Sequence, residues 1–413
     1  ATLHSERFQT IQDACSLAKP GYWCAKVDLK AAYRSVPIHC NDYRVTGLKW
    51  QFAGEKKPTY LFDARLPFGA TKAQSHFHRL SQAIRRCLQR RGFKGVVVYI
   101  DDFLVVAPTY KECNEALHTL IGLVRQLGFL ISWNKVVGPT QRITFLGVDI
   151  DTTDCTLSLG EQKLQKIEQM LQDFSGKKRA CKRQLQQLAG LLNWACQAIS
   201  GGKFFLRRIL DSIKPLQQQH HKTKLSLDFQ KDVQWWLTFV RSFNGVVYYG
   251  SGDVHHVHVD ACNKACGAFW AGDWEYTVFH RDIPRASGLH INYKEVCGAV
   301  QAVRRWAPFW ANSTVIVHTD STVTKAVLNK GRSRCAYVND LLRQMCWLSV
   351  KYNFVLRAIH VPGLLNTMPD TISRLHESGK MQLLQRLLCN WHHGVVNYDL
   401  SCHMTQKSLD FLL

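Results

Sequence analysis

Residues 96–107, VVVYIDDFLVVA, place two apolar runs on either side of adjacent aspartates, Asp101 and Asp102. Val- and Leu-rich runs of this length read as strands, and the polar break between them reads as a tight turn. One aspartate at a turn is explained by the bond its side chain makes to nearby backbone. Two are not. Successive side chains on a strand point to opposite faces, so both carboxylates share a direction only where the turn bends the chain between them. Neighbouring carboxylates also raise each other's pKa, so a pair held beside apolar strands calls for a cation. A third carboxylate elsewhere would complete such a site.

The chain around this hairpin has 413 residues, 46% of them hydrophobic, enough for two or three buried cores. Its 15 cysteines are scattered with no CxxC pair, which excludes a disulfide framework and implies a reducing, intracellular setting, with nucleus or cytoplasm undecided. No apolar run reaches the roughly 18 residues of a membrane span, so no membrane partner is expected. The start, ATLHSERFQT, has neither a signal peptide nor an initiating Met and reads as part of something longer. The net charge is +22 and the excess is densest in residues 156–250, with 15 Lys and Arg against 6 Asp and Glu. A polyanion, nucleic acid rather than membrane, is the expected partner.

Residues 1–155 mix short β-rich runs with helical stretches at 73–91 and 111–128, an α+β pattern. Strand signals then vanish, and apolar residues recur at helical spacing from 161 to 243 in a basic connector, residues 156–250. Strands return at 255 and alternate with helices as a second, α/β domain over 251–378. Residues 379–413 carry no chemistry that the sequence supports. Cys389, His392, His393, Cys402 and His403 within them match no zinc-ligand spacing.

Asp28, at the end of WCAKVDL, supplies the third acid. DLKAAY, LPFGATKAQSHF (66–77), YIDD (99–102), ISWNK (131–135) and FLGVDI (145–150) follow one another in the order of the palm motifs of reverse transcriptases, a family the chain resembles. The resemblance implies a polymerase palm with partial fingers and a helical thumb or connector. It implies that Asp28, Asp101 and Asp102 hold two Mg2+ ions, with Mn2+ able to substitute. Two such ions clamp the attacking and leaving oxygens in phosphoryl transfer. By the same resemblance Tyr33 lies under the incoming sugar and excludes a 2′-hydroxyl, Gly69 lets backbone approach the nucleotide, and Tyr99 belongs to the substrate site. Lys135 faces the leaving pyrophosphate, and Leu146 and Gly147 grip the primer. The plain alternative for Tyr33 is packing. Little chain precedes DLKAAY, so the fingers are expected to be truncated.

Four further acids, Asp260 in HVHVDACNK, Glu295 in INYKEVCGAV, Asp320 in VIVHTDST and Asp370 in NTMPDTISRL, resemble the set of a C-terminal α/β ribonuclease H-like domain. That resemblance implies a second pair of Mg2+ ions held by these four and hydrolysis of the RNA strand of an RNA:DNA hybrid. INYKEVCGAVQAVRRWAPFW, the spacing to HTDS, and HVPGLLNTMPDTISRL look most like the DIRS-type retrotransposons that carry tyrosine recombinases. Long terminal repeat retrotransposons and pararetroviruses stand nearby. Gln74, Ser321 and Pro369 depart from the usual motif residues. The implied partners are an RNA template, a DNA primer, an RNA:DNA hybrid and deoxynucleoside triphosphates, and the oligomeric state is undetermined. A domesticated, non-catalytic nucleic-acid-binding protein is the rival reading, and a hybrid nuclease with a dead palm the third. All seven acids are intact, which favours the enzyme.

Overall fold

The computed structural model describes residues 7–248 and 252–392. They fall into two compact units. One holds the described residues up to Ser158 with 247 and 248; the other holds Leu159–Val246 and the described residues from 252 onward. Among the described residues no helix is long and apolar enough to cross a membrane.

The first unit is built on β1 (Trp23–Lys30), which pairs antiparallel with β3 (Asp102–Ala107), itself the partner of β2 (Val96–Tyr99). Ala25, Val27 and Leu29 alternate toward one face of this sheet, joined by Phe103 and Val105. Against that face pack helix α1 (Ala73–Arg90), through Phe77, Ile84 and Leu88, and helix α2 (Tyr110–Gln126), through Leu117, Leu120 and Val124. Each such side chain taken out of water contributes about 1.5–3 kcal/mol before entropy is counted. The period-2 rule then turns Asp28 and Asp102 to the opposite face, away from both helices. A second hairpin, β4 (Arg142–Phe145) and β5 (Val148–Asp151), follows in the chain. The residues between β1 and α1 form two 3-10 helices, Ala32–Ser35 and Cys40–Val45, and a short ribbon, Gly47–Trp50 with Thr59–Phe62.

The second unit has a five-stranded sheet. β6 (Val254–Ala261), β7 (Ala265–Trp270) and β8 (Asp273–Val278) form an antiparallel meander, and β9 (Thr314–Thr319) and β10 (Val355–His360) extend it in parallel from β6. Val257, Val259 and Val317 face α7 (Ile291–Trp306) through Val296, Val300 and Val303. The region before the sheet is helical as its periodicity predicts: α3 (Glu161–Phe174), α4 (Lys182–Ala195), α5 (Arg207–Ile213) and α6 (Leu227–Phe239). The basic run KKRACKR departs from that expectation, because Arg179–Cys181 and Lys222–Lys224 pair as a three-residue ribbon. A segment that short carries no alternation for a sequence reading to detect.

Candidate active sites

At the hairpin tip Tyr99 and Asp102 are cross-strand partners, leaving Ile100 and Asp101 as a two-residue turn. Ile100 has φ of 57°, a left-handed conformation costly for a β-branched residue. Buried Ser81 on α1 steadies it, its Oγ donating to Ile100 O at 2.5 Å and to Phe77 O at 3.1 Å. This turn is what bends the chain between the two aspartates. Asp102 stands directly opposite Asp28 in the β1–β3 register. Burial, then Asp101 and Asp28, push the Asp102 carboxyl up to about 6, and burial raises Asp101 as well.

Lys135 answers this crowding. Its Nζ donates to both Asp28 oxygens at 3.2 Å, an ammonium standing where a cation is called for. The geometry sets Lys135 beside the acid cluster, on Asp28 itself. Tyr33 stacks on Phe77 with centroids 5.2 Å apart and tilts against Phe68 at 4.9 Å. Burial and then the nearby Asp101 charge raise its phenol pKa, so the ring packs and borders the acids at once. Gly69 has φ of 89°, a conformation that favours glycine, and no protein atom stands within 4 Å of where a Cβ would be. Leu146 and Gly147 form the β4–β5 turn between partners Phe145 and Val148, both with positive φ.

In the second unit Asp260 is the penultimate residue of β6, Asp320 directly follows β9, and Glu295 lies in α7. One carboxylate oxygen from each lies within 4.8 Å of the other two. Burial, followed by Asp260 and Asp320, raises Glu295 to about 9, and burial raises Asp260 to about 6. Glu295 Oε2 is buried with no hydrogen-bond partner among the described atoms. Three crowded hard oxygen donors with one left unsatisfied fit a divalent cation such as Mg2+. Asp370 is not in this triad: it sits in the first turn of α10 (Thr367–Ser373) and accepts from Arg374 Nε at 2.8 Å.

Sequence reasoning missed the supports of this triad. Ser373 Oγ donates to Asp260 Oδ2 at 2.7 Å. Gly267 lets α10 lie flush on β7, because a Cβ there would meet Ser373 N at 2.6 Å. The Gly inside the strand-like run ACGAFW was the available signal. Ser321 caps α8 (Thr322–Lys330), its Oγ accepting from Thr324 N at 3.2 Å.

The basic residues of the connector divide in two. Arg208 does not meet solvent as an idle cation: it pairs with fully buried Asp232 at 3.0 Å and with Asp340 at 3.3 Å on α9 (Ala336–Lys351). A buried carboxylate needs a cation, and Arg208 is committed to it. Arg207 and Lys214 pair with Asp211 at 2.9 and 2.7 Å, and with Lys330, Arg332 and Arg334 they line a cleft of about 840 Å³ that also reaches Asn292 and Thr322. Of the C-terminal Cys and His run, His393, Cys402 and His403 lie outside the described residues.

The first unit thus carries a hairpin with paired acids opposite a third, on a helix-backed antiparallel sheet. Residues 2–150 match the family model described as reverse transcriptase (RNA-dependent DNA polymerase). The chain is 24% identical over 377 residues to the genome polyprotein of Petunia vein clearing virus, covering 86% of this chain and 15% of that one. It is 23% identical to the enzymatic polyprotein of Figwort mosaic virus, covering 75% and 45%, and 30% identical over 136 residues to the Gag-Pol polyprotein of Koala retrovirus, covering 32% and 8%. It thus spans less than half the length of each of these relatives. Among solved structures it resembles a foamy viral protease-reverse transcriptase in complex with double-stranded DNA (TM-score 0.51, 15% identity, 87% of this chain and 72% of that one). The same foamy viral protein in complex with an RNA/DNA hybrid matches at TM-score 0.51, 15% identity, 86% and 46%.

Proposed function

We propose that the chain is an RNA-directed DNA polymerase joined through a basic connector to a ribonuclease H acting on RNA:DNA hybrids. The observation that carries this reading is that two separate acid clusters assemble, each from elements distant in sequence: Asp28 opposite Asp102, beside Asp101, in one, and Asp260, Glu295 and Asp320 in the other. Asp28, Asp101 and Asp102 would hold Mg2+ in the first, and Asp260, Glu295 and Asp320 in the second, with Asp370 close by. Bound Mg2+ supplies charge against the developing oxyanions and orients the nucleophile. The chain's own part is to hold carboxylates in place before substrate arrives. Ser81 fixes the polymerase turn, Ser373 fixes Asp260, Tyr33 borders the sugar position, and Lys135 neutralises Asp28. The hybrid would lie on the cleft lined by Lys330, Arg332 and Arg334, whose charge suits phosphates.

The retroviral and pararetroviral relatives support an origin in a retroelement polyprotein. The DIRS-type affiliation rests on INYKEVCGAV and HVPGLLNTMPDTISRL and is part of the same proposal, as are deoxynucleoside triphosphate substrates and an intracellular setting. The test is primer extension on a poly(rA) template with Mg2+. Extension by deoxynucleotides is expected; hybrid binding without any extension would favour the non-catalytic reading.

A further inference from the structure

We propose that the outer face of α1 is a second nucleic-acid site, binding a single strand on the side of the reverse transcriptase domain turned away from Asp28 and Asp102. Between Asp63 and Asp101 the sequence carries eight Lys and Arg and no acid. Most of them fall on or beside α1, whose buried face is spent on Phe77, Ile84 and Leu88. At 100° per residue Arg79, Arg86 and Arg90 fall within about 40° of one another, and they lie about 10 and 6 Å apart along the axis. All three are exposed. This stripe lies beyond the helical layer, and the acids face the other side of the sheet. A primer and template at Asp102 therefore do not account for it.

The stripe borders a cleft of about 600 Å³ that brings Arg85, Arg86 and Arg79 together with Arg7. Arg85 is half-buried; its Nε donates to Val96 O at 2.8 Å and its Nη1 to Gln82 Oε1 at 3.3 Å, both neutral acceptors. Among the described residues no carboxylate pairs with Arg85 or Arg86, and Asp13, the acid that lines the cleft, is taken by Arg7 at 3.0 Å. Burial lowers the Arg85 pKa, Asp13 raises it and Arg86 lowers it. A partly desolvated guanidinium bonded only to neutral groups is costly, and an anion in the cleft offsets that cost. A single strand can bend its phosphates from the cleft along the helix, whereas a stiff duplex would touch this convex surface briefly. Backbone contacts of this kind carry no sequence preference.

The test uses the whole chain with Arg86→Glu and Arg90→Glu combined, its fold checked by circular dichroism. Fluorescence anisotropy measures binding of a labelled single-stranded RNA without self-complementarity, and of a blunt duplex of equal length, across a salt series. Single-strand affinity should fall by at least about tenfold, and the log-log salt slope by about 1.4, two phosphates at about 0.7 each. Duplex binding and primer extension on a short template should not change. Unchanged RNA affinity and slope would overturn the site. An equal loss for the duplex would overturn the single-strand assignment, and lost extension would return this face to the polymerase site. Because the assay scores binding alone, its outcome does not depend on whether the chain polymerises.

Discussion

Raising the pH without a divalent cation should destabilise the C-terminal unit, and Mg2+ should abolish the effect. Asp260 stands at about 6 in the fold against 3.8 for an ordinary aspartate, and Glu295 at about 9 against 4.5, burial being the main cause of both. Between the ordinary and the folded values the folded chain keeps protons that the unfolded chain has lost, so unfolding free energy falls as pH rises through that window. The rise at Asp260 alone corresponds to about 3 kcal/mol, lost between about pH 4 and 6, and Glu295 extends the loss toward about 9. At about 2–4 °C per kcal/mol, the melting temperature should drop by several degrees between about pH 5.5 and about pH 8. Bound Mg2+ favours the ionised acids and should flatten the profile. The assay is thermal melting followed by circular dichroism in chelator and in millimolar Mg2+, with Glu295→Gln as a variant whose chelator profile should also flatten. A melting temperature that rises with pH in chelator, or a Mg2+ effect equal at both pH values, would refute the reasoning.

Lys135→Ala should slow nucleotide addition and also lower the Mg2+ concentration for half-maximal extension, since the ammonium no longer competes for the Asp28 oxygens; an unchanged Mg2+ requirement would move its role to the pyrophosphate alone. Arg208→Ala should cost about 1–3 kcal/mol by removing the hydrogen-bond donor of buried Asp232, with Arg343 at 3.7 Å left to face its charge, yet leave the salt slope of hybrid binding intact. Neutralising Lys177, Lys178 and Arg179 should do the reverse, lowering the slope by about 0.7–0.9 for each phosphate left without its cation, with little change in melting. Tyr33→Ala should admit ribonucleotides in extension assays; unaltered sugar discrimination would leave the ring as packing.

The architecture of both units was legible because its signals are periodic. VVVYIDDFLVVA reads as a hairpin, and the helix spacing of RQLQQLAGLLNWACQAI holds in α4. What escaped is what depends on contacts remote in sequence. A sequence separation of 107 hides the pairing of Asp28 with Lys135. No local pattern tells that Ser373 holds Asp260, or that Arg208 is consumed by Asp232 while Arg207, one residue away, lines a cleft. The acids themselves were readable as residues in motifs; their partners became visible only once the sheets set them side by side.

Two metal-dependent sites that act independently are the core of the proposed function. One labelled RNA:DNA hybrid, incubated with Mg2+ and deoxynucleotides, reports primer extension and RNA fragmentation in the same tube. Asp102→Asn should abolish extension and spare fragmentation, and Asp320→Asn should do the converse, because each site relies on its own ligands and their supports. Loss of both activities in either variant, with the protein folded and still binding hybrid, would contradict that independence.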